Sequence, residues 1–421
     1  MSRPLSAVVR KFYSELGPGL ITGAADDDPS GIGTYSVAGA RFGFGPLWTA
    51  LFSFPLMVAV QLMCARLGLV TGRGLAAVVR LRYPRYVLWT ACLLLVIANT
   101  INIGADLAGM AAATRMVAGI PTAWSAPVFA LLILVLLFAA SYRSVARVFK
   151  WLTLVLLSYV AAAFITRPAA GEVLRSTLIP HIEWSGDFWA VIVGLLGTTI
   201  SPYLFFWQAA EEVEEVRAAG RTAVGQRQGA TCEQLAGTRR DVIAGMFLSN
   251  VIMYFIILTT AATLHAHGIR DIETAEQAAA ALRPLAGPGA YWLFTLGLIG
   301  TGMLGVPVLA GSSAYAISEA LHWGASLDKK PFVLPKFYSV LALTLLLGLA
   351  LQFAKVNAVK MLFWSAVING VLAPPLIVLL VLLTSDPKVM GEHTNPPWLR
   401  SLGWLTAGVM TAAAVAMVAF P

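Results

Sequence analysis

The stretch Gly-Ala-Ala-Asp-Asp-Asp-Pro-Ser-Gly-Ile-Gly, residues 23–33, stands inside an apolar run of residues 17–43. Three successive carboxylates followed by proline and glycine cannot belong to an unbroken helix in lipid. A charged Asp near the bilayer centre costs about 2.5–3.5 kcal/mol, so such groups face a cavity or a cation. Pro29 removes a backbone donor and disfavours helical geometry at Asp28, while Gly31 and Gly33 let the chain leave the helix. The flanking apolar pieces, 17–25 and 32–43, are each too short to span, because a crossing takes about 20 residues. The spacing predicts one crossing made of two half-helices, with unwound carbonyls available between them as ligands.

The rest of the chain agrees with a lipid environment. It has 421 residues, of which 58% are hydrophobic and 12% charged, with a mean hydropathy of +0.77. This is too apolar for a soluble globule of that length. Apolar runs predict eleven crossings at about 17–43, 45–71, 86–116, 124–142, 146–166, 187–212, 241–265, 289–322, 336–354, 358–384 and 401–420. No removable leader is expected, since no short apolar core with a cleavage site opens the chain. Cys64, Cys92 and Cys232 share no close spacing, which argues against a disulfide framework or a zinc site. The net charge of +8 is spread between apolar runs rather than along one stripe, which excludes a nucleic-acid partner. With the N-terminus inside, twenty-one Lys and Arg fall on the cytoplasmic side and seven on the other. That asymmetry predicts a cytoplasmic N-terminus and an extracytoplasmic C-terminus in the cell membrane.

The sixth crossing repeats the device of the first. In Gly-Leu-Leu-Gly-Thr-Thr-Ile-Ser-Pro-Tyr, residues 194–203, the polar Thr198, Thr199 and Ser201 precede Pro202. Two discontinuous helices in matching positions of two halves point to an inverted-repeat transporter with its site at the midplane. Residues 1–166 form the expected first repeat, residues 187–384 the second, and 401–420 an additional eleventh helix, all in one membrane domain. The acidic run Glu211, Glu212, Glu214 and Glu215 is expected to be the solvated end of the sixth helix. His265, His267, Asp271, Glu273 and Glu276 read as a solvated loop, with metal collection as the alternative. Asn99, Asn102 and Asn250 are either interhelical hydrogen-bond partners or path-lining groups.

The ordered set of motifs resembles the NRAMP family of divalent-metal transporters. The matching segments are Gly17-Pro-Gly-Leu-Ile21, the Asp28-Pro29-Ser30-Gly31 turn and residues 61–72 (QLMCARLGLVTG). Asp106-Leu-Ala, the Ile200-Ser201-Pro202-Tyr203 turn, Asn250 and residues 309–321 (LAGSSAYAISEAL) follow in register. The resemblance implies an all-α, LeuT-type fold of a 5+5 inverted repeat, here with 11 transmembrane helices of which helices 1 and 6 are discontinuous. It implies a transporter rather than an enzyme, without a cofactor or an obligatory protein partner, whose substrate is a metal ion and whose solvent is the lipid bilayer.

Departures from the family pattern bear on the ion. The first turn of the family reads Asp-Pro-Gly-Asn, and Gly31 stands here for the Asn; its sixth turn reads Met-Pro-His, and Ser201 and Tyr203 stand for the Met and the His. The soft thioether that suits late transition metals is gone. What the resemblance leaves is Asp28, the carbonyls near Ala25 and Thr198, the hydroxyls of Ser201 or Ser30, and space for water at Gly31. Asp26, Asp27, Asp106, Tyr203 and Asn369 are candidate path-lining or further metal groups. An all-oxygen, partly hydrated site suits Mg2+, with Mn2+ as near neighbour, and resembles the NRAMP-related magnesium transporter branch. Family groups for proton coupling are reduced to Asp106, with Gly109 where an acid stands one turn beyond it and no Arg in the ninth crossing. Weak or absent proton coupling is therefore expected. The alternatives are a proton-coupled Mn2+/Fe2+ transporter, a sodium-coupled carrier of small organic solutes, and an intramembrane hydrolase using Asp28 and Asp106.

Overall fold

The computed structural model describes residues 17–139, 154–352 and 356–420. Among these residues it is all helix and loop, with no strand. The first crossing is broken into α1 (Pro18–Asp26) and α2 (Pro29–Phe42); α3 (Trp48–Thr71), the short α4 (Leu75–Arg82), α5 (Arg85–Ala118) and α6 (Thr122–Ala139) follow. The described part of the fifth crossing is a 3-10 turn, Leu154–Leu156, that runs into α7 (Leu157–Thr166), and residues 146–153 of its predicted span lie outside the described residues. The sixth crossing is broken into α9 (Gly186–Thr199) and α10 (Pro202–Ala218), after an exposed helix α8 (Ala170–Leu178). Then come α11 (Cys232–Thr263), α12 (Ala290–Ala320), α13 (Pro335–Leu351), α14 (Ala358–Ser385) and α15 (Pro397–Ala419). Eight segments are long and apolar enough to cross a membrane by themselves; the broken first crossing, α7 and α13 complete the predicted eleven in order.

Both breaks have the same local cause. Asp28 and Ser201 are extended residues (φ −67°, ψ 172° and φ −77°, ψ 134°), each followed by a proline that begins the next helix. Proline suits that position because its missing N–H is unused there and its φ is preset. The i−4 carbonyl, that of Ala25 before Pro29 and of Thr198 before Pro202, is thereby denied its helical donor.

Burial separates centre from rim. The most apolar stretch of Gly186–Ala218 is 94% buried, whereas those of Thr122–Ala139 and Pro397–Ala419 are only 28% buried and turn apolar side chains such as Leu131 and Val418 outward, toward lipid. Around the centre, α1 and α2 lie on α11, α5 on α12, α10 on α3, and α9 on α14. The approach of α1 to α11 requires glycine: a Cβ on Gly245 would lie 2.1 Å from the Gly19 carbonyl oxygen. Asp241 of α11 then accepts the Gly19 and Gly17 N–H groups at 2.6 and 3.2 Å and so caps α1 from another helix.

Two expectations about charged segments divide. His265 and His267 hydrogen-bond the carbonyls of Ala40 and Thr263, as loop-anchoring residues do. The acidic end of α10, in contrast, is not solvated: Glu211, Glu212 and Glu214 are at most 5% exposed. A later segment folds back over it, so that Glu214 accepts from Ser326 (2.9 Å), while within α10 Glu214 accepts from Arg217 (2.6 Å) and Glu212 from Gln208 (3.0 Å).

Candidate functional site

Asp28 caps α2, its Oδ1 accepting the Gly31 N–H at 2.8 Å and the Ser30 hydroxyl at 2.6 Å. Its second oxygen reaches out of the local turn. Oδ2 accepts from Asn102 Nδ2 on α5 at 3.0 Å and from the Tyr203 hydroxyl on α10 at 3.4 Å. That hydroxyl also donates to the Ala25 carbonyl at 3.1 Å, the carbonyl that Pro29 leaves without a helical partner. One tyrosine thus bridges the two oxygens of the first break from beyond the second. One turn after Asn102, Asp106 accepts the Ser30 N–H at 3.2 Å through Oδ1, while its Oδ2 has no hydrogen-bond partner among the described residues.

The neighbouring acids face another helix. Asp26 and Asp27 share the Ser249 hydroxyl of α11 at 2.5 and 3.3 Å, leaving Asp26 Oδ1 and Asp27 Oδ2 without partners among the described residues. Asp26, Asp27, Asp28 and Asp106 are all at most 1% exposed. Their hydrogen bonds come from hydroxyls, amides and backbone N–H groups, none of which neutralises a carboxylate. Buried carboxylates without a cationic partner are costly to keep ionised, and a cation beside any of them would offset that cost.

The second break is arranged differently. The Ser201 hydroxyl turns back to the carbonyls of Gly197 (2.5 Å) and Thr198 (2.6 Å), and the Thr198 hydroxyl returns to the Leu195 carbonyl (2.9 Å). Asn369 is buried on α14, its Oδ1 without a partner among the described residues. At Gly31 a Cβ would lie 3.3 Å from both the Asp26 carbonyl oxygen and the Tyr35 hydroxyl, so Tyr35 occupies much of the direction in which a side chain at this position would point. Gly305 lets α12 pass the break, since a Cβ there would come within 2.9 Å of Asp28 Cβ.

Among the described residues, packing covers the site from two directions. Leu362 of α14 lies across Gly33 and Gly109, where added Cβ atoms would meet it at 3.0 and 3.1 Å, and on the other side α1 is seated on α11 and capped by Asp241. Among the described residues no three His, Cys, Asp or Glu side chains gather into a metal-holding group. Any ion held here therefore needs carbonyls and hydroxyls beside the carboxylate. Asn102, expected either as an interhelical hydrogen-bond partner or as a path-lining group, stands four residues before Asp106 on the same helix face and donates to Asp28; Ser249 and Tyr35 carry no such signal in the sequence.

Residues 19–420, which include both broken helices, match the family described as Natural resistance-associated macrophage protein-like, Nramp. The chain belongs to the Nramp family. The protein named divalent metal cation transporter MntH of Mesorhizobium japonicum is 28% identical over 416 residues, covering 95% of this chain and 87% of the relative. Its namesake in Klebsiella pneumoniae strain MGH 78578 is 26% identical, covering 94% and 92%. Among solved structures, the manganese transporter of Eremococcus coleocola superposes with a TM-score of 0.75 at 18% identity, covering 98% of this chain and 88% of that one. MhsT in complex with L-phenylalanine gives 0.62 at 13% identity, covering 95% and 96%. These likenesses carry the LeuT-type fold, and the Nramp membership makes this protein a multi-pass membrane transporter rather than an enzyme.

Proposed function

We propose that this Nramp protein moves a divalent metal ion across the membrane by alternating access, with Asp28 as the charged ligand. The observation that carries the reading is the pairing of the Asp28 carboxylate with the Ala25 carbonyl that Pro29 leaves without a helical donor, bridged by Tyr203 in a buried site. An ion entering there replaces the tyrosine as the partner of both oxygens. The Ser30 and Ser201 hydroxyls, the Thr198 carbonyl and retained water complete an oxygen set, the space beside Gly31 being taken by Tyr35; Asp26, Asp27, Asp106, Tyr203 and Asn369 line its approaches. Such a set contains no soft donor and suits Mg2+, which retains several waters. The relatives' names, two of divalent-metal and one of manganese transporters, support Mn2+ as the second reading.

Weak or absent proton coupling belongs to the same proposal. Gly109 faces the apolar side chains of Leu362 and Leu298 where an acid would have to sit, and α13 carries no Arg. Residues 1–166 and 187–384 act as the two repeats, with the N-terminus cytoplasmic by the positive-inside asymmetry. The test is uptake into proteoliposomes offered Mg2+, Mn2+, Ca2+ and Cd2+ in turn, with a pH-sensitive dye inside. Mg2+ and Mn2+ are taken up without acidification of the lumen. Preference for Cd2+ would contradict the hard oxygen site, and acidification that follows metal uptake would overturn the uncoupled mode.

A further inference from the structure

Away from the breaks, a cavity of about 130 Å3 opens where the end of α3, the start of α4, the end of α10, the helical turn Val224–Arg227 and the end of α12 meet. Arg73, Arg80, Arg217, Arg227, Glu319 and His322 are among its lining residues. Arg227 is only 6% exposed, yet its Nε has no hydrogen-bond partner among the described residues, and neither has the Nε of Arg80. A buried guanidinium with an unused donor is costly unless a ligand supplies the acceptor.

The arginine is held there by backbone. Gly72 ends α3 with φ +62°, and a Cβ at that residue would lie 2.5 Å from Arg227 Cβ. The Gly229 N–H donates to the Val70 carbonyl at 2.8 Å, which pins the turn against α3. The nearby acids are already engaged. Glu319 accepts the Ala77 N–H at 3.1 Å, and Glu214 takes Arg217 and Ser326. Arg217 Nη1 also donates to the Ala325 carbonyl at 2.7 Å, and Arg80 Nη1 meets His322 Nδ1 at 2.8 Å. Four guanidinium groups line the cavity against one lining carboxylate, Glu319, with Glu214 and Glu211 behind the wall at Tyr315, so the lining is net positive.

We propose that this cavity is an anion site for a phosphate group, with Arg227 and Arg80 as its direct donors. The forked guanidinium matches the oxygens of phosphate, and the surrounding positive charge compensates a dianion. The group is supplied by free phosphate or by a phosphate-monoester lipid headgroup such as that of phosphatidate. Bound there, it ties the 224–227 turn to the ends of α3 and α12, and so stabilises the closure of this end of the bundle.

The experiment measures thermal unfolding of the full chain in nanodiscs of neutral phosphatidylcholine, titrated with inorganic phosphate or with chloride at equal ionic strength. Phosphate raises the midpoint and chloride does not. In Arg227→Gln the phosphate concentration for half the effect rises at least about tenfold, as expected for losing a charge-assisted hydrogen bond. Val224→Asp, which adds a carboxylate to the wall at a half-exposed position, abolishes the response even if the arginine variant folds poorly. A second arm uses discs containing phosphatidate: stabilisation there, with no further effect of phosphate, identifies the headgroup as the source. The proposal is overturned if neither phosphate nor phosphatidate stabilises the wild type, or if both variants respond as the wild type does.

Discussion

The two broken helices share a backbone device and differ in how its loose ends are tied. Before each proline one carbonyl loses its helical donor. At the first break the Ala25 carbonyl is met by a hydroxyl from a different crossing, Tyr203, which also reaches the Asp28 carboxylate. At the second break the Thr198 carbonyl is met by Ser201, three residues along its own chain. The first break is therefore charged and wired to α5 and α10, while the second is neutral and satisfies itself. A charged, cross-linked break can hold an ion and transmit its arrival to other helices, which a neutral, self-satisfied break cannot do by itself.

The largest test of that contrast removes the charge. Asp28→Ala should bring divalent-metal flux in proteoliposomes to background, because Asp28 is the carboxylate that meets both Asn102 and Tyr203 at the break; flux that survives would place the ion elsewhere. Next in size is a matched pair. Pro29→Ala returns an N–H that can close onto the Ala25 carbonyl, whereas Pro202→Ala does the same for Thr198. Metal affinity measured by calorimetry should fall far more in the first variant, and equal losses would erase the distinction between the breaks.

Asn102→Ala leaves the charge and deletes one donor to it. Losses of such supporting contacts cost about 10–100-fold in metal affinity, and the apparent affinity for uptake should fall within that range. The smallest effect on rate is expected at Ser201. Ser201→Met should leave Mg2+ uptake reduced only severalfold while shifting preference toward Mn2+ and Cd2+, since it restores a soft donor. Competition between Mg2+ and Cd2+ reads this directly, and an unchanged ratio would mean that residue 201 does not face the ion.

Reading the residues alone located much of this. Polar groups and prolines inside apolar runs are costly in lipid wherever they occur, so Asp28-Pro29 and Ser201-Pro202 announced their breaks without any knowledge of neighbours. The order of crossings was equally plain, because hydropathy is a local property. Where local composition misled was the acidic end of α10. Four glutamates within five residues read as a solvated terminus, yet segments more than a hundred residues later bury part of it, with Ser326 on Glu214.

The sequence by itself determined that the chain lives in lipid, that its first and sixth crossings are interrupted, and that a carboxylate stands at the first interruption. Those conclusions follow from the cost of unsatisfied or charged groups in hydrocarbon, which each segment incurs alone. Only the tertiary structure decided which acids belong together: that Asp28 is held by Asn102 and Tyr203, that Asp26 and Asp27 turn instead to Ser249 more than two hundred residues away, and that Tyr35 fills the direction beside Gly31. Adjacent residues on a broken backbone point to different helices, and their direction is set by packing partners that no local pattern encodes.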